Sequence, residues 1–424
     1  MQKKVLIITY YWPPAGGPGV QRWLKFVKYL PDFDVEPIVF VPENPNYPML
    51  DESLGQDVTN SLQLLKLPIN EPYKLARLFS KSSKTLSKGL IPDKRKQTMI
   101  EKLMLFIRGN FFIPDARVGW VKPAITFLTN FLKENPIDAV ITTGPPHSLH
   151  LIGLQLKQQL NVKWLADFRD PWTGIDYHKE LKLTKFSKKK HKALEKQVLT
   201  IADQIVVTSE LTKTEFSKIT SKPIEVITNG YDVITNTNIA LDYKFTMSHI
   251  GSLLSERNPE NLWKVLEDLL KEDSQFALSF QLNLVGAVSE TVMDSLRNYN
   301  LINYVNRVGY VAHKESITYQ KKAQVLLLIE SNIESKQGII PGKLFEYMVS
   351  NRPILAIGPE SWEVNSILNE TNTGTAFSYK DETMIRSKII EYFEAFKSGT
   401  LQSYGIGLKK YSRKVLTERL VKLL

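Results

Sequence analysis

Near the start of the chain, Val5-Leu6-Ile7-Ile8-Thr9 leads through Tyr10-Tyr11-Trp12-Pro13-Pro14-Ala15 into Gly16-Gly17-Pro18-Gly19. A continuous apolar run of this length suits a parallel strand covered on both faces. Beyond the glycines, Val20, Trp23, Leu24, Val27 and Leu30 recur at helical spacing and point one way. Strand, glycine turn and helix in that order open a doubly wound sheet. Met1-Gln2-Lys3-Lys4 before an apolar run resembles the start of a signal peptide. However, the run is short and breaks at Tyr10 to Pro14 without a small-residue cleavage site, so it reads as a buried first strand.

The rhythm continues outward from this stretch. Pro37 to Val41 reads as a second strand, and Ala139 to Thr143 and Trp164 to Asp167 as two more, separated by a helix over Leu149 to Gln159. Ile205 to Val207 and Ile224 to Ile227 follow. A second series has Met247 to Ile250 ending at Gly251, Leu282 to Val285 at Gly286, Val325 to Ile329 before Glu330, and Ile354 to Ile357 at Gly358. Helices over Pro259 to Leu270 and Lys343 to Ser350 lie between. The fold class is α/β, with two Rossmann-like doubly wound parallel-sheet domains over 1–235 and 242–405, joined through Asp232 to Asp242. Ligands are expected at the carboxyl ends of the strands. Between Asp51 and Ala116 the alternation is lost, which marks an insertion.

Length and composition agree with two globular domains: 424 residues, 43% hydrophobic and 23% charged. The absence of cysteine excludes disulfides, thiolate metal sites and a cysteine nucleophile. No stretch approaches the roughly 20 apolar residues of a membrane span, which predicts a soluble or peripheral protein. The net charge is +11, and the excess is clustered. Ten Lys/Arg lie between Lys74 and Arg108 against Asp93 and Glu101, and a second cluster spans Lys179 to Lys196. Such clusters suit phosphates, nucleic acid or an anionic membrane. In the insertion, Leu75, Leu78, Phe79 and Leu86, then Leu103, Met104, Phe106 and Ile107, interleave with the basic residues. They form either an interfacial helix or a solvated charged face over ordinary core positions.

Four motifs carry chemistry. Gly16-Gly17-Pro18-Gly19 is either an anion-binding approach to a helix N-terminus or a plain tight turn; it lacks the G-x-G-x-x-G spacing of dinucleotide sites. His147, in Thr142-Thr143-Gly144-Pro145-Pro146-His147, stands at a strand end, in a ligand-binding or a structural role. Asp167-Phe168-Arg169-Asp170 follows a buried strand, where charges are costly unless they bind a ligand or each other. An internal Arg169 pair with Asp167 or Asp170 is the plain reading there. In Gly338-Ile339-Ile340-Pro341-Gly342-Lys343-Leu344-Phe345-Glu346, a glycine loop opens a helix on which Lys343 and Glu346 share a face. That lysine suits a diphosphate and that carboxylate a ribose, unless the two are a surface pair.

In order and spacing these pieces resemble the retaining, GT-B-fold glycosyltransferases of family four. The resemblance covers nearly the whole chain: Lys4 to Thr9 with its glycine loop, Ala202 to Glu210, Val226 to Asp232, Ile250-Gly251-Ser252 through Arg257, and Lys343 to Pro353. It implies that the two domains face across a cleft and that residues 406–424 form a helix crossing back to the first domain. It implies donor contacts at Gly16, Gly17, Gly251, Arg257, Gly338, Ile339, Lys343 and Glu346, with Glu346 as the second glutamate of E-x7-E holding the ribose. Asp170, His147 and Arg169 take the catalytic and acceptor-side positions. Two departures stand out: the first glutamate is replaced by Gly338, with Glu330 or Glu334 as substitutes, and the arginine after the strand glycine is replaced by Ser252.

The implied activity is retaining transfer of a hexose-type sugar from a nucleoside diphosphate sugar to a hydroxyl of a glycan or lipid-linked acceptor, in cell-surface polysaccharide synthesis. It needs no metal and no cofactor. Two rivals are a nucleotide-sugar epimerase on the same fold and a catalytically inactive sugar-binding partner. Nucleic-acid binding is disfavoured, because the lysine clusters lie apart from the expected ligand site. The expected location is cytoplasmic, with the basic insertion, Lys94, Arg95 and Lys96 included, docking on the inner face of the membrane.

Overall fold

The computed structural model describes residues 2–59, 61–72, 99–174, 178, 181–232 and 239–424. It divides into two compact units, Met1–Thr228 with Arg413–Leu424, and Asn229–Ser412.

The first unit is built on β1 (Lys3–Ile8), β2 (Val35–Pro42), β3 (Gln63–Leu67), β4 (Ala139–Gly144), β5 (Trp164–Phe168), β6 (Gln204–Val207) and β7 (Ile224–Val226). All neighbours pair in parallel in the order β3-β2-β1-β4-β5-β6-β7. Its helices are α1 (Pro18–Tyr29), α2 (Met99–Phe111), α3 (Val118–Glu134), α4 (Ser148–Leu160), α5 (Lys185–Ile201), α6 (Glu210–Ser217) and, from the end of the chain, α14 (Arg413–Val421). Because side chains alternate across a strand, each buried run feeds two cores. Leu6, Ile8, Phe40 and Val140 pack with Leu128 of α3 and Ile152 of α4. Val5, Ile7, Val39 and Ile141 pack on the other face with Trp23 and Val27 of α1 and Leu416 and Leu420 of α14.

The second unit repeats the plan with β8 (Phe245–Ile250), β9 (Phe280–Val285), β10 (Val305–Gly309), β11 (Val325–Ile329), β12 (Ile354–Gly358) and β13 (Gly374–Ser378), parallel in the order β10-β9-β8-β11-β12-β13. Its helices are α7 (Glu260–Glu272), α8 (Ser274–Ser279), α9 (Glu290–Asn298), α10 (His313–Lys322), α11 (Lys343–Met348), α12 (Glu363–Thr371) and α13 (Glu382–Lys397). The strand order reverses direction at β1/β4 in one sheet and at β8/β11 in the other. At such switch points the carboxyl ends of the strands open a crevice.

Three strands lie outside the sequence reading. β3 falls in the stretch where no strand was expected, and β10 and β13 are the edges of the second sheet. Each pairs on one side only, so none carries the continuous buried run that marks a central strand. The second half of the expected amphipathic insertion forms α2. Its first half, with Lys94, Arg95 and Lys96, lies outside the described residues.

Candidate functional site

In the second unit, β8 delivers His249 and Ile250 to the switch point and then turns at Gly251, whose φ of 117° favours glycine. A Cβ on Gly251 would stand 3.4 Å from Lys343 Nζ, so the lysine lies directly over this turn. Lys343, the first residue of α11, donates to the Ile250 carbonyl at 3.1 Å and approaches His249 Nε2 at 3.3 Å. His249 Nδ1 lies 3.2 Å from the Leu327 carbonyl. A carbonyl only accepts, so Nδ1 carries the ring proton and the Nε2 lone pair faces the ammonium. Burial, then the nearby Lys343 and Arg257 charges, hold His249 neutral far below its ordinary range. Burial and Arg257 likewise bring Lys343 down to about 7, against the opposing pull of Glu330.

Arg257 reaches the same cluster from the turn after β8. It makes a forked pair with Glu330, which follows β11: Nε to Oε1 at 3.0 Å and Nη2 to Oε2 at 2.9 Å. Burial alone would raise the Glu330 carboxyl, but the Arg257 charge and the Ser331 N–H outweigh it and hold it low. One helical turn beyond Lys343, Glu346 accepts from His313 Nε2 at 2.8 Å and from Gln320 Nε2 at 3.1 Å, both on α10. Gly338 and Ile339 lie in the loop before α11, and the Ile339 carbonyl accepts from Trp362 Nε1 at 2.8 Å. Gly251, Arg257 and Lys343 are thus brought together, and Glu346 stands one turn along the same helix.

In the first unit, Gly16 and Gly17 precede α1, and the Gly16 N–H donates to the Met49 carbonyl at 2.9 Å. Arg169, just after β5, ties the end of β4 to the first turn of α1. Its Nη1 donates to the Gly19 carbonyl at 2.9 Å, its Nε to Gly144 at 3.4 Å, and its Nη2 to the Pro145 carbonyl. A Cβ on Gly19 would lie 2.7 Å from Arg169 Nη1, so a side chain there would displace the guanidinium. Asp170 follows, half-buried. His147 stacks on Trp172 with centroids 5.0 Å apart and planes 4° from parallel, and its Nδ1 is buried without a hydrogen-bond partner. Burial, followed by the neighbouring His150, keeps it neutral. Arg169 therefore gathers the last glycine of the loop, in the first turn of α1, and the turn leading to His147 at the ends of β4 and β5.

The sequence reading paired Asp167 only with Arg169. Its partner is Arg22 of α1, with Nη2 to Oδ1 at 2.8 Å, joined by Trp23 Nε1 at 2.7 Å and Thr143 Oγ1 at 2.9 Å. Also unread were His249, His313 and Gln320. A histidine near the end of an otherwise buried strand was the available signal for His249; nothing local marked the other two.

Residues 92–234 match the model of Glycosyltransferase Family 4. Over that region, about a third of the chain, it is similar to glycosyltransferase family 4. The chain as a whole has the GT-B fold of known structures. It superimposes on the sucrose-phosphate synthase of Thermosynechococcus elongatus with a TM-score of 0.64 at 14% identity, covering 99% of this chain and 98% of the other. For Anabaena HepE in complex with UDP and glucose the values are 0.62 and 12%, covering 99% and 98%. A Listeria monocytogenes protein assigned as a UDP-N-acetylglucosamine 2-epimerase gives 0.57 and 10%, covering 99% and 95%. No curated protein sequence matches the chain. No helix among the described residues is long and apolar enough to cross a membrane.

Proposed function

We propose that this protein is a family 4 glycosyltransferase that moves a hexose-type sugar from a nucleoside diphosphate sugar to a hydroxyl of a glycan or lipid-linked acceptor, with retention, in cell-surface polysaccharide synthesis at an anionic membrane surface. The observation that carries the reading is the convergence of Arg257 and Lys343 at the carboxyl end of β8, with Glu346 one turn along α11. Negative charge develops on the departing diphosphate, and fixed cations aimed at it lower the barrier. Arg257 and Lys343 supply those cations, and Glu346 accepts the ribose hydroxyls. On the acceptor side the roles go to His147, Arg169 and Asp170, with Gly16 and Gly17 shaping the approach. No metal has a role in this reading, and no side chain is assigned as a covalent nucleophile. The leaving phosphate takes the proton of the attacking hydroxyl on the same face of the sugar.

A thermal-shift titration with UDP, GDP, ADP and their sugar conjugates tests the donor half. A ligand at 100 times its Kd stabilises the fold by about 2.7 kcal/mol. One base is expected to shift the wild-type protein and to lose its effect in Glu346→Ala. No shift with any nucleotide would favour an inactive sugar-binding partner. Product analysis with and without acceptor separates transfer from epimerisation of the donor itself, the activity assigned to the Listeria relative.

A further inference from the structure

Helix α2 is turned inside out for a solvated surface. Such a helix normally presents its charged side to water, yet the outward positions of α2 are Met99, Ile100, Leu103, Phe106, Ile107 and Phe111. Met99, Leu103 and Phe111 are 80%, 57% and 73% exposed. Its inward side is fixed to the protein. Leu105 packs on Leu181, and Asn110 Oδ1 accepts from the Thr184 N–H at 2.8 Å, so the apolar stripe cannot roll inward without breaking this joint.

The joint leads directly into α5, whose outer side has the complementary character. Lys185, Lys189, Lys192 and Lys196 follow one another at i, i+4, i+7 and i+11, all exposed, with Lys188 and Lys190 beside them. The acidic residue of α5, Glu195, is buried and held by Thr173. Phe186, in the first turn of α5, is 75% exposed.

We infer that the outer faces of α2 and α5 together form a membrane-docking surface, with the α2 stripe entering the acyl boundary and the α5 lysines meeting anionic lipid headgroups. Apolar insertion beside a polybasic face is the combination that holds a protein on an anionic bilayer. A second copy of the chain would bring lysines against lysines, so charge complementarity selects the anionic lipid. The inference rests on the membrane part of the proposed function and gives it residues.

The test is co-sedimentation of the full chain with phosphatidylcholine vesicles, with and without phosphatidylglycerol, across salt. Wild type is expected to bind the anionic vesicles, and less as salt screens the lysines. Lys185→Glu/Lys189→Glu/Lys192→Glu and Leu103→Asp/Phe111→Asp are each expected to lower partitioning at least tenfold, while the triple Lys→Arg variant binds like wild type. All these side chains are exposed, and an unchanged Tm verifies folding. Binding that is equal on both vesicle types, absent in wild type or unaltered in the variants would overturn the inference. So would a dimer in sedimentation velocity that Leu103→Asp dissolves, or a stripe that takes up no apolar dye. Nucleotide thermal shifts on the same variants report the donor site separately, so failure of one reading leaves the other measurable.

Discussion

Arg257 and Glu330 face each other as a two-point fork, with Nε and Nη2 on the two carboxylate oxygens at 3.0 and 2.9 Å. The fork uses one edge of the guanidinium, and in the proposed function the N–H groups of the other edge meet the diphosphate. Glu330 is fully buried, whereas Arg257 is partly exposed. Removing one partner is therefore asymmetric. Arg257→Ala strands a buried carboxylate and is expected to cost roughly 3 kcal/mol, the low end of the range for broken buried pairs because water still reaches this one. Glu330→Gln leaves an arginine that solvent can reach and is expected to cost about 1 kcal/mol. Hydrogen exchange at the β8 and β11 amides reads the difference; equal losses would contradict it.

Asp167 is the corresponding anchor of the first unit, with Arg22, Trp23 and Thr143 all donating to it inside the core. Asp167→Asn places an amide N–H₂ among donors, and a loss of roughly 3–5 kcal/mol is expected. The pair also sets an acid limit. Burial pushes the Asp167 carboxyl up, but the Arg22 charge and the hydrogen bonds outweigh it and hold the folded value below the ordinary one. Its contribution is thus complete above the unfolded carboxylate pKa of about 3.9 and disappears as pH falls through the lower folded value. Acid unfolding monitored by circular dichroism should be shallower in Asp167→Asn.

What the sequence made legible follows from burial. Val5 to Ile8 and Val325 to Ile329 are covered on both faces, so each strand wrote itself as an unbroken apolar run. Gln63–Leu67 pairs only with β2, is half-exposed, and left no such trace. The glycine turns and the Lys343 and Glu346 positions were visible because chemistry and backbone conformation coincide there. Partnerships were not: Arg22 finds Asp167 across 145 positions, and His313 finds Glu346 across 33. Only the folded topology brings such pairs together, and no local spacing encodes them.

His313 and Gln320 clamp the two oxygens of Glu346. If Glu346 receives the ribose, these are positioning residues. His313→Ala is expected to weaken nucleotide binding about tenfold, the value of one hydrogen bond to a charged group, with kcat little altered. His313→Gln, which keeps an N–H donor, should recover most of the affinity. Calorimetric titration of the preferred nucleotide checks both; a fall in kcat at unchanged Kd would move the role from positioning to chemistry.

If the donor diphosphate sits on Lys343, its binding depends on pH. Burial and the Arg257 charge bring its ammonium down to about 7 in the free protein, so near neutrality it is protonated in only part of the molecules. A diphosphate binds the charged form better and, by linkage, raises the pKa of the complex. Affinity should therefore be greatest below pH 7 and fall by up to about tenfold per pH unit above it, until the pKa of the complex is reached. Binding in that range takes up a proton, which calorimetry in buffers of different ionisation enthalpy detects directly. Lys343→Met is expected to bind more weakly at pH 6 and to lose both the slope and the proton uptake. A slope that persists in Lys343→Met would place the titrating group elsewhere, either on the nucleotide phosphate or on another side chain of the cluster.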